Sequence, residues 1–257
     1  MSAGAFPKRV LVTGASGGMG RAIVRALAEE GATVLASGRR EAALREAQQG
    51  FPKVRRFVAD LGAPGVAQEL VAAAEASLGG LDAVVCAAGI ARHAAVGALA
   101  EEDLAAVYRV NAMAPALLVQ AAGPALAESG GSAVLVSSTL AQRPAPGTLG
   151  YAMSKAALEA ATKVLAAELA PSIRVNAVAP GVVDTAMVRQ LRLAPGEAEP
   201  TGPARAARIE AQLAGLRALH PLGLGLPEDV ARAVLQLLTS RWMTGTVLTI
   251  DGGLTAS

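Results

Sequence analysis

Seven short apolar runs punctuate the chain, and longer alanine- and leucine-rich stretches with helical spacing separate them. The runs are RVLVT from Arg9, TVLAS from Thr33, VRRFVAD from Val54, LDAVVCAAG from Leu81, SAVLVSS from Ser132, IRVNAVAPG from Ile173 and TVLTIDGG from Thr246. Continuous apolar runs of this length are strands buried on both faces, which is the condition of a parallel sheet covered by helices. The intervening segments from Gly20, Glu41, Gly65, Asp103, Tyr151 and Glu228 carry helical periodicity, and Glu228 follows a proline suited to a first helical turn. Strictly alternating strand and helix predict one α/β domain over residues 1–257, a doubly wound seven-stranded parallel sheet with helices on both faces. One segment breaks the rhythm. Residues 186–226 are rich in proline, glycine, alanine, arginine and glutamate, and within them ARAARIEAQLAGLRALH reads as an arginine-rich amphipathic helix. An insertion of that size in a compact domain is a lid or binding loop; the alternative is a solvated surface excursion.

Composition narrows the function. Hydrophobic residues make up 53% and charged residues 17%, which describes a packed globular chain. The formal net charge is +2 and aromatics are 2%, with no basic cluster interleaved with aromatic residues, so a nucleic-acid partner is not expected. The single cysteine, Cys86, lies inside an apolar run and reads as a small core residue in a reducing compartment. His93 and His220 stand far apart without neighbouring ligands at metal spacing, so no metal site is expected. The opening MSAGAFPKR is too short and too polar for a signal peptide, and no uninterrupted apolar stretch reaches membrane-spanning length. A cytoplasmic protein with no membrane partner is the expectation.

The candidate chemistry gathers late in the chain. Ser138 closes the SAVLV strand thirteen residues before Tyr151, and Lys155 follows Tyr151 by four. Tyr and Lys at that spacing share one helix face. A phenol beside a fixed positive charge ionises more easily, which would make Tyr151 a proton donor and acceptor usable near neutral pH. Y-x-x-x-K alone is common in helices. What surrounds it gives it weight.

After the first strand, Thr13-Gly14-Ala15-Ser16-Gly17-Gly18-Met19-Gly20 opens a helix. Glycines there let backbone N–H groups and the positive helix end approach a pyrophosphate, as in a Rossmann-like nucleotide fold. The spacing is T-G-x-x-x-G-x-G and departs from G-x-G-x-x-G. At the end of the second strand, Gly38 stands where an acid would bind the 2′-hydroxyl of NAD, and Arg39 and Arg40 follow. A guanidinium without a competing carboxylate favours the 2′-phosphate of NADP(H) over NAD(H). The bland alternative is that both arginines pair with Glu41. Asp60, ending the third strand, bonds an adenine amino group or caps the next helix.

Taken together, TGASGGMG, Asp60, CAAG (86–89), Asn111, Ser138, Tyr151-x-x-x-Lys155, Pro180-Gly181, Thr185 and TVLTIDGG resemble the compact single-domain branch of the short-chain dehydrogenase/reductase family, in particular bacterial 3-oxoacyl-acyl-carrier-protein-reductase-like members. The resemblance covers essentially the whole chain. It implies a proton-transfer role for Tyr151, a Lys155 that lowers the tyrosine pKa and holds the nicotinamide ribose, a Ser138 that donates to the substrate oxygen, with Ser137 as its alternative, and an Asn111 that anchors a water leading to Lys155. Without the resemblance, Asn111 is an unfavourable mid-helix residue that marks a local bend or a cap. It implies cofactor contacts from Thr13, Gly14, Ser16, Gly18, Met19, Gly20, Arg39, Asp60, Leu61, Ala88, Gly89, Tyr151, Lys155, Pro180, Gly181, Val183 and Thr185. It places a substrate lid at 186–226 and implies a homotetramer or homodimer. The chain departs from the family's frequent Asn-Asn-Ala-Gly, having Cys86-Ala87-Ala88-Gly89.

The function this implies is NADPH-dependent reduction of a small-molecule ketone or aldehyde, a 3-oxoacyl thioester among them, to the alcohol. Alternatives are an NAD-dependent alcohol, hydroxysteroid or sugar dehydrogenase and a non-catalytic NADP-binding scaffold. A nucleotide-sugar epimerase would resemble a longer chain with a C-terminal sugar-nucleotide domain. The lid arginines 189, 192, 205, 208 and 217 either rim an anionic substrate or face water.

Overall fold

The protein is described by a computed structural model covering residues 6–193 and 197–256. Its strands are β1 (Arg9–Thr13), β2 (Thr33–Gly38), β3 (Val54–Val58), β4 (Ala83–Cys86), β5 (Ser132–Val136), β6 (Arg174–Pro180) and β7 (Val247–Ile250). All pair in parallel in the order β3-β2-β1-β4-β5-β6-β7. The chain therefore runs outward from β1 in one direction, then returns to cross to β4 and runs out in the other. That reversal opens a crevice at the carboxyl ends of β1 and β4, where ligands of doubly wound sheets bind.

The helices are α1 (Gly18–Glu29), α2 (Glu41–Gln48), α3 (Val66–Leu78), α4 (Glu101–Tyr108), α5 (Ala114–Ser129), α6 (Leu149–Leu169), α7 (Gly202–Ala218) and α8 (Pro227–Thr239). Alternate strand residues divide the core in two. Val10, Val12, Val34, Val85 and Val134 meet Ile23, Leu27, Val234 and Leu237 of α1 and α8. Leu11, Leu35, Val84, Cys86 and Leu135 meet Leu70, Leu118, Leu126 and Leu158 of α3, α5 and α6. Each fully buried Leu or Ile contributes roughly 1.5–3 kcal/mol, so the sheet is clamped from both faces and its strand ends are fixed in place.

Five helix starts differ by one or two residues from the sequence reading, α1 at Gly18, α3 at Val66, α4 at Glu101, α6 at Leu149 and α8 at Pro227, because a first helical turn lacks intrahelical N–H bonds and carries little periodic signal. A second correction concerns membrane length. The helical run Glu101–Ser129 is long and apolar enough to cross a bilayer by length and composition, although no uninterrupted apolar stretch shows it in the sequence. Here its Leu118, Val119, Ala122 and Leu126 pack into the core. The expected bend falls inside that run: Arg109–Met113 form a π-helical turn containing Asn111, with Pro115 just beyond. Such turns recur at functional sites.

Candidate active site

The residues singled out in the sequence lie at the carboxyl ends of the strands. Gly14 follows β1 with φ +69, and a Cβ there would strike the backbone of Ala87 and Ala88. A Cβ on Gly20 would strike the Gly14 carbonyl, so α1 packs on the loop only with glycine at both places. The loop closes by a bond from Gly17 N–H to Gly14 O at 2.9 Å. No side chain caps α1 at Gly17, so its first turn offers backbone N–H groups and the positive helix end to an anion. A Cβ on Gly18 would come within 2.8 Å of Thr185 Cγ2, which brings the loop after β6 against the glycine loop. This cradle, with no carboxylate in it, fits a dinucleotide pyrophosphate.

The residues read from the sequence for the adenosine end lie at the ends of β2 and β3. Arg39 is exposed and makes no ion pair or side-chain hydrogen bond among the described residues. Glu41 pairs instead with Arg45 at 2.9 Å, and Arg40 donates to the Ser16 carbonyl at 3.2 Å. The solvated pair of Arg39 or Arg40 with Glu41 is therefore not formed. Ser16 Oγ would lie 2.8 Å from a Cβ on Gly38, so Ser16 borders the end of β2. Asp60 is exposed and accepts from Gly62 N–H at 2.9 Å; it shapes the turn before α3 and does not cap that helix, whose N-cap is Gly65. Leu61, Ala88 and Gly89 are partly buried.

Between β5 and α6 the hydroxyl, phenol and ammonium do meet. Ser138 is buried; its hydroxyl accepts from Leu140 N–H at 3.2 Å and lies close enough to the Tyr151 phenol to lower its pKa. Ser137 turns away and donates to Glu159 Oε1 at 2.9 Å, so of the two serines only Ser138 reaches the phenol. Lys155 Nζ lies 5.6 Å from the Tyr151 ring centroid and donates to the Val136 carbonyl at 2.7 Å.

The electrostatics correct the sequence expectation. Burial pushes the Tyr151 phenol up to about 12, with the Ser138 bond the opposing influence, and burial pushes Lys155 down to about 8. The phenol is thus held protonated and not eased toward ionisation. Cys86, also buried, is pushed up to about 12, which leaves it an inert core thiol.

Asn111 is fully buried, and its side chain is spent on the frame. Its Oδ1 accepts from Ile90 N–H at 2.9 Å, and Nδ2 donates to Ile90 O at 2.9 Å and to Ser154 Oγ at 3.1 Å. Ser154 in turn donates to the Tyr151 carbonyl at 2.7 Å. Through these bonds the π turn fixes the strand end at Gly89–Ile90 to the turn of α6 that carries Tyr151.

The loop after β6 supplies the opposite wall. Pro180 is buried and its carbonyl accepts from Thr139 Oγ at 3.3 Å; Val183 bridges Gly225. The expected insertion contains α7, close to the span read from the sequence; residues 194–196 of it lie outside the described residues. Gln212 of α7 ties the approach segment down, donating to Val188 O at 2.8 Å and Gln190 O at 3.0 Å and accepting from Arg192 N–H at 3.1 Å. Of the arginines in this insertion, Arg189 pairs with Asp184, Arg205 with Glu199 and Arg208 with Glu197. Arg192 has no carboxylate partner among the described residues; burial lowers the His93 pKa, and the nearby Arg192 charge adds to it.

Two groups near the site were not anticipated. Glu159 sits one turn beyond Lys155 on α6, buried, bonded to Ser137 and to Gln142 at 3.2 Å. Its i,i+4 spacing from Lys155 was the available signal. His220 is the other, and nothing in its sequence neighbourhood marks it.

Residues 14–255 match the family profile described as enoyl-(acyl carrier protein) reductase. The chain is 37% identical over 257 residues to the 3-oxoacyl-acyl-carrier-protein reductase FabG of Thermotoga maritima, covering 96% of this chain and 97% of that one. It is 34% identical to human dehydrogenase/reductase SDR family member 4, over 96% of this chain and 87% of the relative. A solved short-chain type dehydrogenase/reductase from Mycobacterium marinum superposes with a TM-score of 0.84 at 31% identity, covering 97% of this chain and 96% of that one.

Proposed function

The chain belongs to the short-chain dehydrogenase/reductase family of oxidoreductases, and we propose that it is an NADPH-dependent reductase of ketones or aldehydes, 3-oxoacyl thioesters among them. The observation that carries the reading is the junction of Ser138, Tyr151 and Lys155 at the end of β5. Two neighbouring hydroxyl donors suit an oxygen that gains negative charge, which supports a carbonyl over a carbon–carbon double bond.

The nicotinamide, when bound, supplies the hydride. Tyr151 gives its phenolic proton to the carbonyl oxygen, and Ser138 donates a hydrogen bond to that oxygen as charge develops. A phenol held near 12 is protonated throughout the neutral range, the form that can give a proton to a carbonyl oxygen. Lys155 places its ammonium where the phenolate forms, and Val136 O fixes the ammonium there. Asn111 and Ser154 hold the frame under Tyr151.

Thr13, Gly14, Ser16, Gly18, Met19 and Gly20 would cradle the pyrophosphate, with Asp60, Leu61, Ala88 and Gly89 along the adenosine side. Lys155, Pro180, Gly181, Val183 and Thr185 would meet the nicotinamide half. The unpaired, exposed Arg39 supports NADPH over NADH. Segment 186–226 acts as the substrate lid, and Arg192 beside His93 suits a substrate with an anionic group, such as a phosphate-bearing thioester. Exposed Tyr108, Met113, Leu117, Leu149 and Met153 on α4, the π turn, α5 and α6, with the unpaired edge of β7, support assembly into a tetramer. A reducing cytoplasm suits the lone buried cysteine.

The test is oxidation of NADPH and NADH in parallel across ketones, aldehydes and short 3-oxoacyl thioesters. Turnover with NADPH on any of them is the expected result. Tight binding of one cofactor with no turnover on the panel would favour the scaffold reading.

A further inference from the structure

His220 is 4% exposed, lies between the end of α7 and the start of α8, and takes no part in the chemistry described above. Both ring nitrogens are used. Val182 N–H donates to Nε2 at 3.1 Å, so Nε2 carries no proton and Nδ1–H donates to Leu216 O at 2.8 Å. One bond ends on the loop after β6, the other on the last turns of α7. The ring therefore joins the wall of the cofactor cleft to the helix that covers the substrate side.

The surroundings leave the ring little room. A Cβ on Gly181 would stand 3.0 Å from His220 Nε2 and 2.9 Å from Asp251 Cα, so the loop passes the histidine only as glycine. Asp251 is directed into its own turn, accepting from Gly253 N–H at 3.0 Å, Thr255 N–H at 2.7 Å and Thr255 Oγ at 2.6 Å. It forms no hydrogen bond with the histidine that would compete for a ring nitrogen. Beyond Val182, the segment is held by Gly225 N–H to Val182 O at 3.0 Å and Asp184 N–H to Gly225 O at 2.9 Å. It then reaches Thr185, which abuts Gly18 of the glycine loop. A shift of α7 is thus transmitted through the imidazole to Val182, and from there to the loop that faces the dinucleotide.

We propose that His220 is a positioning residue that couples the seating of α7 over the substrate to the placement of the Pro180–Thr185 loop against the cofactor. The proposal rests on the reductase reading for its kinetic part, but its structural part is independent of turnover. A coupling element of this kind needs an acceptor for one backbone group and a donor for another, at fixed separation in a dry site, and a neutral imidazole supplies both.

The experiment compares the full-length protein with His220→Phe and His220→Gln. Phe keeps a planar ring, larger than the imidazole, and removes both hydrogen bonds; Gln, without the ring, restores an acceptor within reach of Val182 N–H. Hydrogen exchange at Val182 and over 181–185 is read in each protein without cofactor, followed by NADPH affinity from fluorescence titration and by kcat and KM. The expected result for His220→Phe is faster exchange at 181–185 and at the end of α7. NADPH should weaken by about tenfold, as expected for one lost buried hydrogen bond. KM for the carbonyl substrate should rise more than kcat falls, with a cooperative thermal transition retained. His220→Gln should recover most of the NADPH affinity. Unchanged exchange and unchanged NADPH affinity in a folded His220→Phe would overturn the proposal. So would equal loss in both variants, which would mark the ring as core filling only. A wild-type protein that turns over nothing on the panel would refute the reductase reading, while the exchange comparison would still decide the coupling.

Discussion

Lys155 Nζ lies 5.6 Å from the centre of the Tyr151 ring, one helical turn away on α6. The ammonium donates to the Val136 carbonyl, and on the proposed mechanism it stabilises the phenolate once the proton has left. Tyr151→Phe keeps the ring and this cation–ring contact but removes the acid. It should lower kcat by at least about a hundredfold, the ordinary worth of a positioned acid, and leave NADPH affinity within about twofold. Stopped-flow turnover and a fluorescence titration on one preparation check both. Turnover near the wild-type rate would show that another group protonates the product.

The same lysine makes the fold sensitive to pH. Its folded pKa of about 8 lies below the ordinary lysine value, because burial penalises the charged form. Between the two values the unfolded chain binds a proton that the folded chain lacks, so stability rises with pH across that window. At about 1.4 kcal/mol per unit, the gain is at most on the order of 3 kcal/mol. Tyr151 and Cys86 work in the opposite direction, Tyr151 above the ordinary tyrosine value near pH 10 and Cys86, pushed up to about 12, above the ordinary thiol value near 9. Denaturant titrations from pH 7 to 9 should show the Lys155 rise in the wild type and a flatter profile in Lys155→Met. Parallel profiles would place the titration elsewhere.

Much of this was legible in the residues. Continuous apolar runs announced a sheet buried on both faces, and the glycine-rich 13–20 loop has glycine where it is required, at Gly14 and Gly20, since a Cβ there would strike backbone. The mid-helix Asn111 announced a break, and a π turn is there. What stayed hidden depends on sums over three dimensions. The direction of the Tyr151 shift follows from how much protein encloses the phenol, and spacing says only that Lys155 is near. His220 gave no signal because its partners, Val182 and Leu216, are a backbone donor and a backbone acceptor, which carry no side-chain pattern. Ser137 and Ser138 are adjacent in sequence, yet strand pleating sends one to Glu159 and the other to Tyr151.

Arg39 gives a prediction in cofactor choice. It is exposed at the end of β2 with no acidic partner among the described residues, while its neighbour Arg40 is engaged with the Ser16 carbonyl. A charge-assisted bond to a phosphate is worth roughly 1.5–3 kcal/mol. Arg39→Ala should therefore weaken NADPH by about ten- to a hundredfold and leave NADH nearly unchanged, and the gap should narrow as salt rises. Equal losses for both cofactors in isothermal titration would remove Arg39 from the 2′-phosphate.

Thr13 shows what the Cys86-Ala87 departure does to the sheet. β1 and β4 place Thr13 beside Cys86, and Ala87 N–H donates to the Thr13 carbonyl at 3.2 Å. The Thr13 hydroxyl itself is buried with no hydrogen-bond partner, and the thiol beside it is a weak donor. A buried hydroxyl left unpaired costs about 1–3 kcal/mol, whereas an apolar group of the same shape costs little there. Thr13→Val keeps the β-branched shape that suits a strand and should stabilise the protein by about 1 kcal/mol. Cys86→Asn sets an amide beside the hydroxyl, and in that background Thr13→Val should become destabilising. The sign change in a double-mutant cycle, read from urea midpoints, is the decisive quantity. If Thr13→Val destabilises both backgrounds equally, the hydroxyl is already paired in the wild type, and the missing asparagines have cost the sheet nothing at this position.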